Sequence, residues 1–194
     1  MNKKILPRKE QKTNIILRDY QKSMISAQKE ALSLHKNTVL VAATGAGKTI
    51  VIANIIVDFL SENPDAKILV FQHLREIFFQ NLEKCIEVCQ DLKGRITTVY
   101  GKNKDSSGQI VFCMIQTAQR RNNLKLLNKF DLVIVDEAHH VGSPGYIRIL
   151  HHLKSKNPDI LRLGVTATPI RGDKKGLTPW FDNICMEISI PSLI

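Results

Sequence analysis

Eight residues, Ala42-Ala43-Thr44-Gly45-Ala46-Gly47-Lys48-Thr49, combine the groups needed to hold a polyphosphate. Gly45 and Gly47 let the backbone curl so that successive N–H groups point inward at phosphate oxygens, and a helix opening near Lys48 adds its positive dipole end. This is the P-loop form, with Ala42 where the strict pattern has its first Gly. Lys48 is positioned for the β- and γ-phosphates and the Thr49 hydroxyl for Mg²⁺. A Gly-Lys-Thr turn alone could arise by chance; its place between a β run and an apolar helix argues against that.

A second group of reactive side chains is Asp136-Glu137-Ala138-His139, 88 residues after Lys48. It ends the apolar run Leu132-Val133-Ile134-Val135. In an open α/β sheet ligand chemistry gathers at the carboxyl ends of strands, and both groups belong there. Asp136 suits a water-mediated hold on Mg²⁺, and Glu137 suits polarising a water that attacks the γ-phosphate. Taken alone, an Asp-Glu pair at a strand end is ordinarily a solvated turn.

The elements that must position these groups are legible as patterns. Residues 19–35 carry Tyr20, Met24, Ala27, Ala31 and Leu34 at helical spacing. Thr38–Ala42 is a short buried strand. Thr49–Leu60 is apolar nearly all round, which suits a helix pressed on a sheet. A strand follows at Ala66–Phe71 and a long helix over about 73–92, with Leu74, Phe78, Leu82, Cys85, Cys89 and Leu92 on its apolar stripe. Further strands are expected at Ile96–Tyr100, Ile110–Met114, Leu132–Val135 and Leu161–Val165, separated by a polar loop at 101–108 and a helix at 146–154 with Ile147, Leu150 and Leu153 inside. The run Leu132–Val135 does not alternate, as befits a parallel strand covered on both faces. Strands alternating with helices predict an α/β fold, a doubly wound parallel sheet with helices on both faces.

Composition agrees and excludes other classes. The 194 residues are 43% hydrophobic and 24% charged, which suits one α/β domain with a sizeable core. No apolar run approaches the ~20 residues that span a bilayer. The first residues lack the apolar core of a secretory signal, so no membrane partner is expected. Four scattered cysteines (Cys85, Cys89, Cys113, Cys185) offer neither a disulfide framework nor paired zinc spacing, and an intracellular, cytoplasmic setting is the default. The net charge of +10 is uneven: residues 1–12 hold Lys3, Lys4, Arg8, Lys9 and Lys12 against Glu10. Further clusters lie at Arg120-Arg121, Lys125, Lys129 and at Arg171, Lys174, Lys175. This balance fits a polyanionic partner and equally a solvated basic surface.

The ordered set of motifs resembles superfamily 2 DEAD/DEAH-box helicases and translocases, specifically their first RecA-like domain, from about Leu17 to Pro191. Leu17-Arg18-Asp19-Tyr20-Gln21 is similar to the family's adenine-recognition segment, with Gln21 reading the adenine edge and Arg18 or Tyr20 packing nearby. Asp136-Glu137-Ala138-His139 spells its signature tetrapeptide. Thr166-Ala167-Thr168-Pro169 matches its third motif, whose hydroxyls couple the γ-phosphate to the nucleic-acid side, with His139 as the expected partner. Gly164 to Arg171 and Gln72-His73-Leu74-Arg75-Glu76-Ile77 follow the wording of the branch with restriction-enzyme translocase subunits and bacterial DNA-repair helicases. That tilts the expected polymer towards DNA over RNA, by analogy.

The resemblance implies ATP with Mg²⁺ as cofactors, bound by Arg18, Tyr20, Gln21 and Thr44 through Thr49. It implies Lys48, Asp136 and Glu137 as catalytic residues, Thr49 and Asp136 as the Mg²⁺ set, and His139, Thr166 and Thr168 as coupling residues. Nucleic-acid contacts are implied on loops at the opposite strand ends: His73, Arg75, Gly101, Lys102, Gln116 and Thr117. Each has a plainer reading, Arg75 as a solvated helix residue and Gln116 or Thr117 as a helix cap. His140 is expected to help position the tetrapeptide, His151 and His152 to face solvent, and Trp180 to pack a C-terminal extension.

The domain organisation expected is a basic flexible leader over 1–12, a RecA-like helicase domain over 13–190, and no second RecA-like domain. The family's motor binds ATP between two such domains, and the second supplies an arginine finger worth ~10³ to 10⁵ in rate. The isolated chain is therefore expected to bind nucleotide, to hydrolyse it very slowly, and to need a second domain or partner chain. Two alternatives stand beside this: a nucleotide-dependent regulatory fragment acting with a partner protein, and a P-loop phosphotransferase unrelated to helicases. The latter leaves Gln21 and Thr166-Ala167-Thr168 without a use.

Overall fold

Strand runs that are apolar without alternation need cover on both sides, and the chain supplies it. The computed structural model describes residues 16–88, 90–168, 177 and 180–189. The basic segment 1–12, Cys89, residues 169–175 and residues 191–194 lie outside them. The strands are β1 (Asn37–Ala42), β2 (Ile68–Gln72), β3 (Ile96–Tyr100), β4 (Asn103–Lys104), β5 (Ile110–Met114), β6 (Leu132–Asp136), β7 (Leu161–Thr166) and β8 (Asn183–Ile188). They form one sheet in the order β4-β3-β5-β2-β6-β7-β1-β8. Every neighbouring pair is parallel except β3 with β4.

Among the described residues five α-helices accompany them: α1 (Asp19–Leu34), α2 (Lys48–Glu62), α3 (Arg75–Val88), α4 (Ile115–Ala118) and α5 (Pro144–Lys156). Alternate strand residues feed two separate cores. On one face Leu40, Ile68, Val70, Ile110, Phe112 and Ile134 pack with α1, α2 and α3. On the other Val39, Leu69, Phe71, Val111, Val133 and Val135 pack with α4 and α5. This is the expected doubly wound α/β architecture. All five residues of β2, β5 and β6 are buried, so truncating one such side chain, Phe71 for example, costs about 3–5 kcal/mol.

Several expectations shift. The helix anticipated over 73–92 runs only from Arg75 to Val88, with a 3₁₀ segment at Gln90–Arg95. Leu74 falls in the turn before it and is 49% exposed; Leu34, at the last residue of α1, is 71% exposed. The buried face of α1 instead carries Gln21, Met24, Gln28, Ala31 and Leu32. On α5 the buried residues are Tyr146, Ile149, Leu150 and Leu153, while Ile147 is half-buried. His152 does not simply face solvent: its Nε2 lies 2.8 Å from the Leu127 carbonyl oxygen. The loop at 101–108 contains β4, which pairs back on β3. β8 was not anticipated; it adds beside β1 with an irregularity between Val39 and Leu40. Trp180 packs partly buried against the second core, its carbonyl accepting from Arg162 at 3.1 Å. Among the described residues no helix is long and apolar enough to cross a membrane.

Candidate nucleotide site and nucleic-acid face

All the candidate residues after Gln21 stand at the carboxyl edge of the sheet. The phosphate turn follows β1, Asp136 ends β6, and Thr166 ends β7, which lies between them. His73 follows β2, Gly101 follows β3, and Gln116 follows β5. The nucleic-acid candidates are therefore not at the opposite strand ends: they share the edge with the phosphate candidates and occupy the other half of the sheet. Parallel pairing forces this, since every strand delivers its carboxyl end to the same side.

The turn after β1 has the geometry its glycines allow. Gly45 and Gly47 take left-handed φ of 86° and 76°, a region costly for residues with a Cβ. At Gly47 a Cβ would also come within 2.4 Å of Gln21 Nε2. The Ala43 N–H donates to Ile188 O of β8 at 3.0 Å, and the Ala46 N–H to Ala43 O at 3.1 Å, which closes the turn. α2 begins at Lys48, so its first N–H groups face outward beside the turn. Lys48 Nζ folds back over it, 3.4 Å from the Ala42 carbonyl.

Gln21 is spent largely within the protein. Its Oε1 accepts the Arg18 N–H at 3.0 Å and its Nε2 donates to Ala46 O at 3.3 Å, both ends braced in a residue 5% exposed. One N–H and one lone pair of the amide remain for an adenine edge. Arg18 donates to the Tyr20 hydroxyl at 3.3 Å and its guanidinium lies 6.0 Å from the Tyr20 ring centroid.

Thr49 and Asp136 meet through a residue that no motif contains. Thr49 Oγ1 donates to Asn81 Oδ1 at 2.5 Å, and Asn81 Nδ2 donates to Asp136 Oδ2 at 2.8 Å. Asp136 Oδ1 takes the Glu137 N–H at 3.0 Å. Burial, with the Glu137 charge beside it, pushes the Asp136 carboxyl up to about 6, against the opposing pull of the Glu137 N–H, the Asn81 amide and Lys48. A buried carboxylate beside an oriented hydroxyl is a hard-oxygen donor set, and it fits Mg²⁺. The sequence reading missed Asn81 because an Asn on an amphipathic helix reads as a surface residue; its one signal is its place seven residues beyond Leu74, on a face where Phe78 and Cys85 are buried.

Glu137 is the sole non-glycine with positive φ among the described residues, at 52°. Such backbone costs energy and persists only where the surroundings impose it. His139 Nδ1 lies 3.3 Å from Glu137 Oε2 and 3.0 Å from Thr166 Oγ1. The carboxylate can only accept, so its partners assign the proton to Nδ1. Thr166 Oγ1 in turn donates to Thr168 O at 3.1 Å and accepts the Thr168 N–H at 3.2 Å. His140 bridges outward: its ring stacks on His73 at 4.2 Å and lies 4.1 Å from His139. Burial, then the neighbouring imidazole, lowers the pKa of both His73 and His140.

Among the nucleic-acid candidates, Arg75, Gly101, Lys102 and Gln116 are exposed and His73 is half-buried. Thr117 is 7% exposed, and its hydroxyl accepts the Gly101 N–H at 3.2 Å, so it holds the loop rather than presenting a free hydroxyl. Neither it nor Gln116 caps a helix: both lie inside α4, and Gln116 Nε2 donates to His73 O at 2.8 Å. To Lys102 the fold adds three cations that motif reading had not assigned, Lys104, Arg120 and Arg121. Lys102, Lys104, Arg120 and Arg121, with Gly101, Asn122 and Asn123, line one groove of about 490 Å³. A larger cleft, about 590 Å³, opens between α1 and α2 at the amino edge of the sheet. It has no phosphate-binding turn, and its Lys29 is paired with Asp58 and Glu62.

Residues 14–171 match the family model described as "Type III restriction enzyme, res subunit". The chain belongs to that family. The res-subunit domain is 30% identical over 187 residues to the putative ATP-dependent helicase IRC3 of Saccharomyces cerevisiae, covering 92% of this chain and 27% of that protein. It is 32% identical over 176 residues to the putative mitochondrial ATP-dependent helicase irc3 of Schizosaccharomyces pombe, covering 87% and 28%. The chain thus spans under a third of these relatives. Among solved structures, a nuclease-deletion mutant of the type ISP restriction-modification enzyme LlaGI with a DNA substrate mimic superposes with a TM-score of 0.69 at 18% identity, over 91% of this chain and 20% of that one. The Sulfolobus solfataricus SWI2/SNF2 ATPase core with double-stranded DNA gives 0.65 at 21%, over 80% and 32%. These structures share the RecA-like fold.

Proposed function

We propose that the chain is the nucleotide-binding half of a DNA-dependent ATPase of the helicase or translocase kind, with residues 13–190 as its RecA-like domain. The observation that carries the reading is the hydrogen-bonded path Thr49–Asn81–Asp136, which joins the phosphate turn to the acidic strand end. Thr44 through Thr49 cradle the triphosphate and Lys48 neutralises its β- and γ-oxygens. Thr49 and Asp136 hold Mg²⁺, which when bound draws charge from the phosphate oxygens. Glu137 accepts a proton on its carboxylate as water oxygen bonds to the γ-phosphorus and the bond to the β–γ bridging oxygen breaks, leaving ADP and phosphate. Its strained backbone and the His139 contact aim that carboxylate. Gln21, Arg18 and Tyr20 flank the base.

The polymer lies across the other half of the same edge, against Arg75, Gly101, Lys102 and Gln116, with the sugar-phosphate backbone in the groove of Lys102, Lys104, Arg120 and Arg121. Such contacts give weak sequence preference. His139, Thr166 and Thr168 relay the phosphate state towards it. A second RecA-like domain supplying an arginine completes the site, and hydrolysis by the chain alone is slow.

The test is DNA-stimulated ATP hydrolysis, measured with the chain alone and with the second RecA-like half supplied. The reading expects a rise of ~10³-fold or more when both are present. Equal rates with and without that half would contradict it.

A further inference from the structure

The two groups proposed to hold Mg²⁺ are both tied to one amide. Asn81 is 3% exposed on α3, and the direction of its two hydrogen bonds is determined by its partners. The Asp136 carboxylate accepts only, so the amide nitrogen must face it; the amide oxygen must then face Thr49, and that oxygen accepts only. The Thr49 hydroxyl is consequently forced to donate to Asn81. Its proton is turned away, and its lone pairs are left free.

That polarity matters chemically. A hydroxyl can offer a lone pair to a cation only when its own hydrogen points elsewhere, and a carboxylate binds best when its plane is fixed. Asn81 meets both needs at once, at 2.5 Å on Thr49 and 2.8 Å on Asp136, while the Glu137 N–H holds the second carboxylate oxygen at 3.0 Å.

We propose that Asn81 is a positioning residue for metal-bound nucleotide: it orients the Thr49 hydroxyl and the Asp136 carboxylate so that the site takes nucleotide as its magnesium complex. The inference rests on the nucleotide reading above and adds to it a residue from outside the motifs. Because α3 opens at Arg75 directly after the loop of His73, the same helix that borders the polymer face carries the residue that arranges the metal donors.

The experiment is a fluorescence titration of labelled ATP against the whole chain, in EDTA and in saturating Mg²⁺. The variants are Asn81→Leu, which keeps the branched outline and removes both bonds, and Asn81→Ser, which is smaller and polar; circular dichroism reports folding, and Asn81→Ser decides if Asn81→Leu does not fold. Loss of an orienting partner of metal ligands typically weakens metal affinity by ~10- to 100-fold. The wild type should bind more tightly with Mg²⁺, and the variants should lose roughly tenfold or more of that gain while their affinity in EDTA stays within about twofold. In a Thr49→Val background, Asn81→Leu should cost markedly less, because one of its two clients is gone.

A folded variant that keeps the full Mg²⁺-dependent gain overturns the role of Asn81 and leaves the nucleotide site standing. So does an equal loss in EDTA and in Mg²⁺, which would mark Asn81 as packing only. If the wild type binds no labelled ATP in either condition, the nucleotide reading and this inference fall together.

Discussion

The imidazole of His73 stacks on that of His140 with ring centroids 4.2 Å apart. This contact joins the loop after β2, on the half of the edge proposed to face the polymer, to the turn after β6 that carries Glu137 and His139. If the two loops are coupled, this ring pair is the contact that links them. Replacing His140 with Ala removes the stack without touching the phosphate turn. DNA affinity measured with and without a non-hydrolysable ATP analogue should differ in the wild type, and that difference should shrink several-fold in His140→Ala. By linkage the effect of DNA on analogue affinity must shrink equally. An unchanged coupling factor would assign the stack to packing alone.

The raised Asp136 carboxyl makes a statement about stability. Its value of about 6 lies above the ordinary 3.8, so in the nucleotide-free, metal-free protein the native state holds that proton more tightly than the unfolded chain does, while near neutral pH the group is mostly ionised. The stabilisation this confers is fully present below about pH 4 and is lost as pH rises through 6. At pH 8 the charge is held at a cost of about 3 kcal/mol. Asp136→Asn, which removes the charge and part of the hydrogen bonding, should therefore be more stable than wild type by about 2 kcal/mol at pH 8. The gap should close towards pH 4. Urea denaturation at both pH values reads it directly, and a constant gap would contradict the assignment.

Gly47 faces two separate obstacles to a side chain: φ of 76° and the nearness of Gln21 Nε2. Gly47→Ala should destabilise the domain by about 1–2 kcal/mol and weaken nucleotide binding. Adding Gln21→Ala removes the steric obstacle and leaves the backbone one, so the cost of Gly47→Ala should be smaller in that background. Thermal unfolding of the four proteins in the cycle tests this; strict additivity would mean that Gln21 does not press on the turn.

Lys102, Lys104, Arg120 and Arg121 converge from separate loops on one groove. If phosphates lie there, Arg120→Ala and Arg121→Ala should each weaken DNA binding similarly across sequences. Each should also reduce the slope of log affinity against log salt by about 1. Slopes equal to wild type would place the polymer elsewhere.

What sequence could reveal here depended on whether the signal was local. β2, β5 and β6 were legible because a strand covered on both faces must be apolar throughout, and the phosphate turn because its glycines, lysine and threonine are contiguous. Edges were harder. β8 was missed because its partner β1 lies about 145 residues away, and its own pattern mixes buried Ile188 with exposed Ile184. Leu34 and Leu74 fit a helical stripe, yet each sits at a helix boundary where the stripe has left the core. On α1, Gln21 and Gln28 hold buried positions, which no hydrophobic pattern could signal. Asn81 was invisible for the same reason: its worth comes from Thr49, 32 residues before it, and Asp136, 55 after it. Gln116 and Thr117, expected as nucleic-acid contacts with a helix cap as the plainer alternative, lie inside the four-residue α4 and bridge to His73 and Gly101.

The account turns on whether Lys48 and its neighbours bind a nucleoside triphosphate. Titration of labelled ATP in Mg²⁺ against wild type and Lys48→Ala measures this most directly. Saturable binding by the wild type, weakened at least tenfold by the substitution, is the expected result. Indistinguishable affinities for the two proteins would contradict the claim.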